Sequence, residues 1–286
     1  MRSGALDFPL SEATTIALVR AALEEDQAFD DVTTIATVLP VDKSRADLVA
    51  RHDGVISGVP LAMAAFRALA PHIEMRVDAV DGTPVTRGQT VLHVSGPTRA
   101  ILSAERVALN FAQRLSGVAT LTARYVDAVQ GLHVQIVDTR KTTPGWRVLE
   151  KYAVRCGGGA NHRNTLADAV LIKDNHIAAC RGDVKLAVER ARAHAAKGLL
   201  IQVECDTVAQ VGVAIAAGAD ALLLDNMPNH ALRECVQLAK GHCWTEASGG
   251  VTLETVRGIA ETGVDRISVG ALTHSAPSLD LALDFE

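Results

Sequence analysis

A cluster of basic residues lies between residues 138 and 176, in a chain that is acidic as a whole. The segment has seven Lys or Arg against four Asp or Glu, a balance of +3 in a chain of net charge −5, so the rest carries −8. The seven cations are Arg140, Lys141, Arg147, Lys151, Arg155, Arg163 and Lys173. A compact basic region focuses a positive field on a small anion, whereas nucleic acid needs a broad basic face. The segment therefore predicts a site for a small anionic ligand.

The plainer interpretation of these cations is a set of solvated charges on helix faces. Position argues against it for three of them, because Arg140, Lys141 and Lys173 closely follow apolar, β-branched runs of the kind that form strands. Side chains just after a strand project from one edge of a sheet. We therefore interpret these three as candidates for ligand binding.

The elements that must position these residues are short apolar runs that alternate with helical segments. The runs cover residues 134–137, 169–172, 199–203, 221–224, 243–245 and 266–269. The residues that follow them are Asp138, Lys173, Glu204, Asp225, Glu246 and Gly270. This rhythm indicates a parallel sheet covered on both faces, or a closed α/β barrel. In a barrel the carboxyl ends of the strands form the active site, so these residues would meet at one mouth.

Two features favour a barrel over an open, doubly wound sheet. The first strand-turn-helix lacks the G-x-G-x-x-G pattern of dinucleotide folds, and Gly157-Gly158-Gly159 is only a weak substitute. The last two strand ends carry Ser248-Gly249-Gly250 and Gly270-Ala271, where barrels bind a phosphate on backbone N–H groups. Each glycine site taken alone is also typical of an ordinary turn.

The predicted mouth combines three kinds of group. Its cations suit carboxylates, because Arg offers a planar fork, and they are Arg140, Lys141, His162, Arg163 and Lys173. Its carboxylates suit a divalent cation or sugar hydroxyls, and they are Glu204, Asp225 and, as a further candidate, Glu246. Backbone amides at the last strands suit a phosphate. Together these groups predict an enzyme that joins an acidic small molecule to a phosphorylated, metal-bound sugar.

Several plainer roles stay open for the same residues. His162 and Arg163 are also typical of a helix-cap pair, and His176 of a structural histidine. Glu204 and Asp225 are also consistent with carboxylates paired to Lys173. Lys173 ends a strand as Schiff-base lysines of barrel aldolases do, which leaves an aldolase as an alternative. No Cys, His and Asp arrangement with a neighbouring base is present, so nucleophilic catalysis by those residues is not favoured.

Length and composition are consistent with an α/β enzyme of one large barrel or two domains. The chain has 286 residues, with 48% hydrophobic and 3% aromatic residues. It has no apolar run of membrane-spanning length and no signal-peptide pattern, so we predict a cytoplasmic protein. The cysteines form an odd set without a C-x-x-C pair, which predicts buried thiols and neither disulfides nor zinc. They are Cys156, Cys180, Cys205, Cys235 and Cys243.

The first hundred residues predict a small α+β domain without obvious chemistry. A helix is expected over 11–25 with Ser11 as N-cap and with Ile16, Val19, Ala22 and Leu23 on its apolar face, and another from Pro60 to Leu69. Strands are expected around the turns at 52–54, 81–82 and 87–88. Residues 98–129 predict two helices interrupted near Ser116-Gly117, with Arg106 as a surface cation.

Several sequence blocks resemble one enzyme family, the quinolinate phosphoribosyltransferases or nicotinate-nucleotide pyrophosphorylases (carboxylating), which are type II phosphoribosyltransferases. The resemblance extends through nearly the whole chain, and its longest block is highly specific. The blocks are Asp138-Thr-Arg-Lys-Thr-Thr-Pro-Gly145, Glu150 to Gly159, Asn161-His-Arg163, Leu171-Ile-Lys-Asp-Asn-His176, Leu224-Asp-Asn226, Ser248-Gly-Gly250, Thr262 to Ser275, Glu25-Asp26, Asp31-Val-Thr-Thr34 and Glu105-Arg106.

The resemblance implies an incomplete parallel α/β barrel over residues 116–274 and an N-terminal α/β sandwich domain over 1–115, joined by the C-terminal tail 275–286. It implies transfer of the phosphoribosyl group of phosphoribosyl pyrophosphate to quinolinate with loss of CO2, giving nicotinate mononucleotide and pyrophosphate in NAD biosynthesis. It also implies Mg²⁺ as cofactor and a homodimer, or a higher oligomer, with sites shared at the interface.

Residue roles carry over from the family position by position. Arg140, His162, Arg163 and Lys173 would hold the quinolinate carboxylates, and Arg106 would reach the same pocket from the neighbouring subunit. Catalysis would involve Lys141, Lys173, Glu204 and Asp225, with Lys141 at the phosphates. Glu204 and Asp225 would lie at the ribose and the Mg²⁺, directly or through the substrate and water. The remaining substrate-binding positions would be Thr139, Ser248, Gly249, Gly250, Val269, Gly270, Ala271 and His274.

Three positions depart from the family pattern, and none removes a charged ligand-binding group. Trp146 replaces a usual Leu, Thr165 replaces a usual Gly, and Ala247 replaces a Ser. Thr165 raises a question of loop geometry, because a β-branched residue tolerates positive φ poorly. Two related alternatives remain, a molybdenum-transport-associated paralogue and a non-catalytic sensor of pyridine carboxylates.

Overall fold

The computed structural model describes residues 6–285, which divide into two compact units. The first unit comprises the described residues up to Ala123, Val148–Gly158 and those from Ser275 onward, and the second comprises Arg124–Arg147 and Gly159–His274. The first five residues of the predicted N-terminal domain and Glu286 of its predicted tail lie outside the described residues. The predicted boundary between residues 115 and 116 stays a prediction.

Strands alternate with helical segments from residue 135 onward, whereas several strands follow one another directly in the first part of the chain. The helices are α1 (Glu12–Glu25), α2 (Val32–Thr37), α3 (Val59–Leu69), α4 (Thr98–Ala128), α5 (Arg147–Cys156), α6 (Asp174–Ala179), α7 (Val184–His194), α8 (Val208–Ala216), α9 (Asn229–Ala239), α10 (Val256–Ala260) and α11 (Ala271–His274). The strands are β1 (Lys43–Ala50), β2 (Gly54–Val55), β3 (Glu74–Val77), β4 (Pro84–Val85), β5 (Thr90–Pro97), β6 (Gln135–Val137), β7 (Val170–Ile172), β8 (Ile201–Cys205), β9 (Ala221–Asp225), β10 (Trp244–Ser248), β11 (Arg266–Ser268) and β12 (Leu281–Phe285).

The first unit contains an antiparallel sheet with the order β12-β1-β5-β3. Leu48 on β1 is paired with Leu92 on β5 and with Leu283 on β12, so β12 forms one edge of this sheet. Leu48 and Leu92 are fully buried, as is Phe66 of α3. The short strands β2 and β4 pair separately. The expected helix from Pro60 to Leu69 is confirmed as α3.

Helix α1 begins where the sequence predicted, because the Ser11 hydroxyl accepts a hydrogen bond from the Thr14 backbone N–H. Its buried face differs in part from the prediction. Val19 and Leu23 are buried as expected, but Ile16 is 54% exposed and Thr15 takes the buried position of that turn. The Thr15 hydroxyl donates to the Ser11 carbonyl, which satisfies this polar group inside the helix.

Helix α4 is one continuous helix of 31 residues, so the predicted break near Ser116-Gly117 is wrong. Gly117 serves close packing instead of ending a helix. A Cβ placed there would lie 2.1 Å from the Pro277 carbonyl oxygen, so the helix surface must be bare where the C-terminal segment crosses it. Among the described residues, no helix combines the length and apolarity required to cross a membrane.

The second unit is built on a parallel sheet with the order β6-β11-β10-β9-β8-β7. All six predicted apolar runs form these strands, with small shifts at their ends. Each strand from β7 to β10 pairs with the next one along the chain, and β11 pairs with β6. Within residues 6–285, β6 and β7 are the two strands of this order that do not pair with each other, so the sheet is a barrel with one gap, as predicted.

Alternate residues of these strands face opposite sides of the sheet. Val203, Leu222 and Ile267 are fully buried, and they belong to the side that packs under the surrounding helices. The opposite side carries polar residues at the strand ends and a second set two residues earlier in each strand. We call the strand-end set the mouth layer (Lys173, Glu204, Asp225, Ser248 and Gly270). We call the set two residues earlier the lower layer (Leu171, Gln202, Leu223, Glu246 and Ser268).

Candidate functional site

A cavity of about 410 Å³ opens at the carboxyl ends of the parallel strands, entirely within the second unit. Its lining residues are Thr139, Arg140, Lys141, His162, Arg163, Leu171, Lys173, Glu204, Leu223, Asp225, Glu246, Ser248 and Ser268. Active sites of α/β barrels lie at the carboxyl ends of the strands, and this cavity is lined there by many charged residues. The cavity is therefore the candidate active site.

The mouth layer consists of Lys173, Glu204, Asp225, Ser248 and Gly270, which lie at or just after the ends of the strands from β7 to β11. Lys173 directly follows β7, and its Nζ lies 3.2 Å from Oε2 of Glu204 on β8. Asp225 and Ser248 are the last residues of their strands. Of the six residues predicted to converge at the strand ends, Lys173, Glu204, Asp225 and Glu246 line the cavity, whereas Asp138 and Gly270 do not.

Two arginines form the basic side of the cavity. Burial lowers the pKa of Arg163 from its ordinary value, and the positive charge of Arg140 lowers it further by a smaller amount. Nη1 of Arg163 donates to the Ala169 carbonyl at 3.1 Å. Nε of Arg140 is buried and has no hydrogen-bond partner in residues 6–285. Two crowded guanidinium groups with spare donors suit an anion with more than one negative charge.

The loop that carries His162 and Arg163 is fixed by a carboxylate at the end of β6. Asp138 is fully buried and accepts hydrogen bonds from Asn161 Nδ2 at 2.6 Å and from the His162 backbone N–H at 2.9 Å. The backbone N–H of Arg163 donates to Nδ1 of His162 at 2.7 Å. His162 and Arg163 are therefore loop residues held by Asp138, which contradicts the helix-cap alternative.

The loop after Arg163 accommodates Thr165 without strain. The described non-glycine residues with positive φ are Gln27, Arg181 and Asn226, so Thr165 is not among them. Its backbone N–H donates to Asp168 Oδ2 at 3.1 Å and its hydroxyl to Oδ1 at 2.5 Å. The question raised by this departure from the family pattern is thereby resolved. Ala247, a second departure, is simply a buried residue of β10.

The glycine-rich end of the cavity is tightly packed. Asn226 has a φ of 53°, and its Nδ2 donates to Asp225 Oδ2 at 2.6 Å. A Cβ at Gly249, whose φ is 91°, would lie 2.1 Å from Oδ1 of Asn226. Gly249 therefore makes room for the residue that holds Asp225, in addition to its predicted phosphate role. Gly250 also has positive φ, 57°.

Lys141 lies beside the loop that follows β11. Cδ of Lys141 and Nε2 of His274 are each 3.2 Å from the point where Gly270 would carry a Cβ. The Thr273 hydroxyl donates to the Lys141 carbonyl at 2.7 Å. Gly270 and His274 therefore lie beside Lys141. The predicted phosphate-end residues Val269, Gly270, Ala271 and His274 are not among the residues that line the cavity.

Several other residues singled out in the sequence do not line this cavity. Arg106 belongs to the first unit, where it is exposed on α4. His176 is a structural histidine, since its Nδ1 accepts from the Lys173 backbone N–H at 3.0 Å. Of the cysteines, all of them free, only Cys156, Cys205 and Cys235 are buried, so the prediction of buried thiols is wrong for Cys180 and Cys243.

The cavity is also lined by a second set of residues, of which the sequence had suggested only Glu246 as a further candidate. Leu171, Leu223, Glu246 and Ser268 line it, and each lies two residues before a mouth-layer residue. With Gln202, which is buried two residues before Glu204, they form the lower layer. Glu246 was considered only as a strand-end carboxylate, but it lies in the middle of β10. The period of two along each strand is the signal that identifies all five.

No group of three or more His, Cys, Asp or Glu in residues 6–285 is arranged to hold a metal ion. Glu204 and Asp225 both line the cavity, and one oxygen of Glu204 is engaged by Lys173. Mg²⁺ commonly binds through one or two carboxylates together with substrate phosphates and water. The residues present therefore fit a metal ion that arrives with a phosphorylated substrate.

Comparison with known proteins gives a consistent result over most of the chain. Residues 31–116 match the model of the quinolinate phosphoribosyl transferase N-terminal domain, and residues 118–284 match that of its C-terminal domain. A probable nicotinate-nucleotide pyrophosphorylase [carboxylating] of Bacillus subtilis is 43% identical over 91% of this chain and 89% of its own. The Mycobacterium leprae enzyme of that name is also 43% identical, over 93% and 95%.

Solved structures agree in fold. NadC from Streptococcus pyogenes has a TM-score of 0.92 at 38% identity and covers 97% of this chain and 99% of its own. The nicotinate-nucleotide pyrophosphorylase from Francisella tularensis has a TM-score of 0.89 at 35% identity and covers 99% and 100%.

Proposed function

Because this chain belongs to the quinolinate phosphoribosyl transferase family, we propose that it transfers the phosphoribosyl group of phosphoribosyl pyrophosphate to quinolinate. The transfer is accompanied by decarboxylation, and the products are nicotinate mononucleotide, pyrophosphate and CO2. The chain is then a phosphoribosyltransferase of NAD biosynthesis. The resemblance found in the sequence is confirmed by the family models and by relatives over nine-tenths of the chain.

One cavity combines the two kinds of charge that this transfer needs. Arg140, Arg163 and Lys141 provide cations for the quinolinate carboxylates and for the phosphates. Glu204 and Asp225 provide carboxylates near the place where the sugar carbon becomes positively charged. This juxtaposition of opposite charges at the strand ends is the feature that supports the proposal most directly.

Two guanidinium groups would bind the quinolinate. Arg140 and Arg163 would each take a carboxylate with a planar fork, and Lys173 would supply a third cation next to Glu204. Burial and, second to it, the positive charge of Arg140 lower the pKa of Arg163, and a dianion between the two arginines would offset the repulsion between them. His162 packs against the same ligand.

Transfer would begin as the bond between the sugar carbon C1′ and the pyrophosphate oxygen weakens. The bonding electrons leave with pyrophosphate, whose charge Lys141 balances, while Glu204 and Asp225 stabilise the positive charge on the sugar. When bound, Mg²⁺ would neutralise further charge on the phosphates. The ring nitrogen forms the new bond to C1′ and becomes positive. The adjacent carboxylate then leaves as CO2, and the ring carbon takes a proton from solvent.

A homodimer with shared sites is a further part of the proposal, with Arg106 reaching the neighbour's cavity. An apolar segment of the first unit supports it. Phe29, Val32, Ile35, Leu39 and Val41 are large hydrophobic residues between 45% and 81% exposed, within thirteen positions of the chain. Such a concentration of exposed apolar surface is typical of an interface.

The same segment is joined to the helix that carries Arg106. Asp31, the N-cap of α2, accepts a hydrogen bond from Ser103 of α4 at 2.9 Å, and Arg99 of α4 donates to the Val38 carbonyl. Ser103 lies one turn before Arg106, so a partner seated on the apolar segment would also meet this arginine. A cytoplasmic location is the remaining part of the proposal.

The decisive experiment measures labelled CO2 released from carboxyl-labelled quinolinate, with and without phosphoribosyl pyrophosphate and Mg²⁺. We expect release only when both are present. Folded protein that binds quinolinate without releasing CO2 would overturn the proposal in favour of the sensor or the paralogue. Release without phosphoribosyl pyrophosphate would show a decarboxylase that does not transfer the sugar.

A further inference from the structure

Two of the buried polar side chains in the lower layer contact each other and are not used directly by the proposed reaction. Gln202 on β8 is 1% exposed and Glu246 on β10 is fully buried. Polar groups at this depth are retained when they have partners or a function, because burial removes their hydration. Their contacts therefore indicate what these two residues do.

The contacts of Glu246 are directed at one histidine and its companion amide. Its Oε2 accepts from Gln202 Nε2 at 3.2 Å and lies 3.3 Å from Nε2 of His162. Its Oε1 has no hydrogen-bond partner anywhere in the described part of the chain. A carboxylate that served only to stabilise its own strand would be expected to engage both oxygens. The polar contacts of Glu246 are instead with Gln202 and His162, next to Arg163.

The two ring nitrogens of His162 are both engaged inside the protein. Nδ1 accepts the backbone N–H of Arg163 at 2.7 Å, so it carries no proton. The proton of the neutral ring is then on Nε2, which lies 3.2 Å from Gln202 Oε1 and 3.3 Å from Glu246 Oε2. In this arrangement His162 has no N–H left for a ligand.

We propose that Glu246 is a positioning residue, which together with Gln202 holds His162 in the Nε2–H tautomer and thereby fixes the backbone from which Arg163 reaches the anionic substrate. His162 then contacts the ligand through its ring carbons and not through a nitrogen. This assignment rests on the proposed function for the identity of the anion. It replaces the direct carboxylate-binding role that family resemblance implies for His162.

The tautomer is tested by NMR of the ligand-free, full-length protein with ¹⁵N-labelled histidine, in which His162→Asn identifies the resonance. We expect a neutral ring with its proton on Nε2, and loss of that single form in Glu246→Leu. A proton on Nδ1, a cationic ring at neutral pH, or an unchanged spectrum in Glu246→Leu would overturn the proposal. If Glu246→Leu does not fold, the wild-type spectrum alone still shows which nitrogen of His162 carries the proton.

Kinetics then separate positioning from simple space filling. Glu246→Gln keeps an acceptor for His162, so KM for quinolinate should stay within about threefold, whereas Glu246→Leu should raise it about tenfold or more. KM for phosphoribosyl pyrophosphate should change much less in both. Equal effects of the two substitutions, or equal rises in both KM values, would contradict the assignment.

A matched control removes a buried carboxylate elsewhere. Glu150 in α5 is also fully buried and is paired with Arg114 at 2.9 Å in the first unit. Glu150→Leu should lower thermal stability without separating the two KM values. Absence of CO2 release by the wild-type protein would refute the proposed function alone, because the histidine spectrum would still report on Glu246.

Discussion

At the scale of single residues, Arg140 offers the sharpest test of the basic side of the cavity. Its buried Nε lacks a partner in the described chain, so this group can gain a hydrogen bond only from a ligand or water. We expect Arg140→Ala to raise KM for quinolinate by about tenfold to a hundredfold, because a charge-assisted hydrogen bond is lost. KM for phosphoribosyl pyrophosphate should change by less than about threefold. Steady-state kinetics with each substrate varied in turn measures both values.

Two further variants make this prediction specific. Arg140→Lys keeps the charge and loses the planar fork, so it should restore only part of the quinolinate affinity. Arg192→Ala removes an exposed arginine of α7 that is paired with Asp220, and it should leave both KM values unchanged. Equal losses for both substrates in Arg140→Ala would argue that this residue has a general structural role.

The sequence identified the mouth layer because charged residues directly after apolar runs stand out. It did not identify Leu171, Leu223 or Ser268, although the period of two places them on the same side as Lys173, Asp225 and Gly270. The contact between Glu246 and His162 was beyond prediction. It depends on the path of a loop, which Asp138 fixes from a strand distant in sequence.

At the scale of elements, Gly117 tests why α4 is continuous. Gly117→Ala would place a methyl group 2.1 Å from the Pro277 carbonyl oxygen, and backbone must move to accommodate it. We expect the free energy of unfolding to fall by about 1–3 kcal/mol, as for overpacked cores, despite the higher helix propensity of Ala. Urea denaturation followed by circular dichroism measures the change.

Gly212 in α8 is the matched control for this substitution. A Cβ there would meet no atom within 4 Å among the described residues, so propensity alone acts. Gly212→Ala should raise the free energy of unfolding by about 0.5–1 kcal/mol. Destabilisation by both substitutions would refute the close-packing explanation for Gly117.

His93 predicts a pH-dependent contribution to the antiparallel sheet. Hydrogen bonds to Asp78, and with a smaller effect to Asp47, raise its pKa above the ordinary value of 6.5. Because the pKa of His93 is higher in the folded state than in the unfolded state, its hydrogen bonds stabilise the fold fully when the pH is below the unfolded-state pKa. This stabilisation disappears as the pH rises through the folded-state pKa. The loss of stability in His93→Gln should therefore be larger at about pH 6 than at about pH 9.

Denaturation at both pH values, in the wild type and in His93→Gln, tests this expectation. Asp78 provides the control. In an Asp78→Asn background, the stability loss caused by His93→Gln should depend less on pH. A difference between wild type and His93→Gln that grows with pH would contradict the assigned direction.

Element prediction succeeded where local pattern decides and failed where tertiary contact decides. The six apolar runs became strands because each is buried on both faces of a parallel sheet. The glycine at 117 was interpreted as a break because its partner, Pro277, is distant in sequence. The pairing of β12 with β1 joins the two ends of the chain, and periodicity carries no information about such a partner.

At the scale of the whole molecule, the proposed shared site makes a prediction about mixtures of inactive variants. Arg106→Ala and Lys141→Ala should each be inactive alone. In hybrid dimers one site would combine the intact Lys141 of one subunit with the intact Arg106 of the other. Random exchange would restore about a quarter of wild-type activity, since half of the dimers would be hybrids with one working site.

The measurement is CO2 release after the two variants are mixed and allowed to exchange, with native mass spectrometry to prove that hybrids have formed. Each variant incubated with itself under the same conditions is the control. Absence of recovery in the presence of proven hybrids would place Arg106 outside the neighbour's site. Its exposed position on α4 beside the apolar segment would then require another explanation, such as stabilising the interface without contacting substrate.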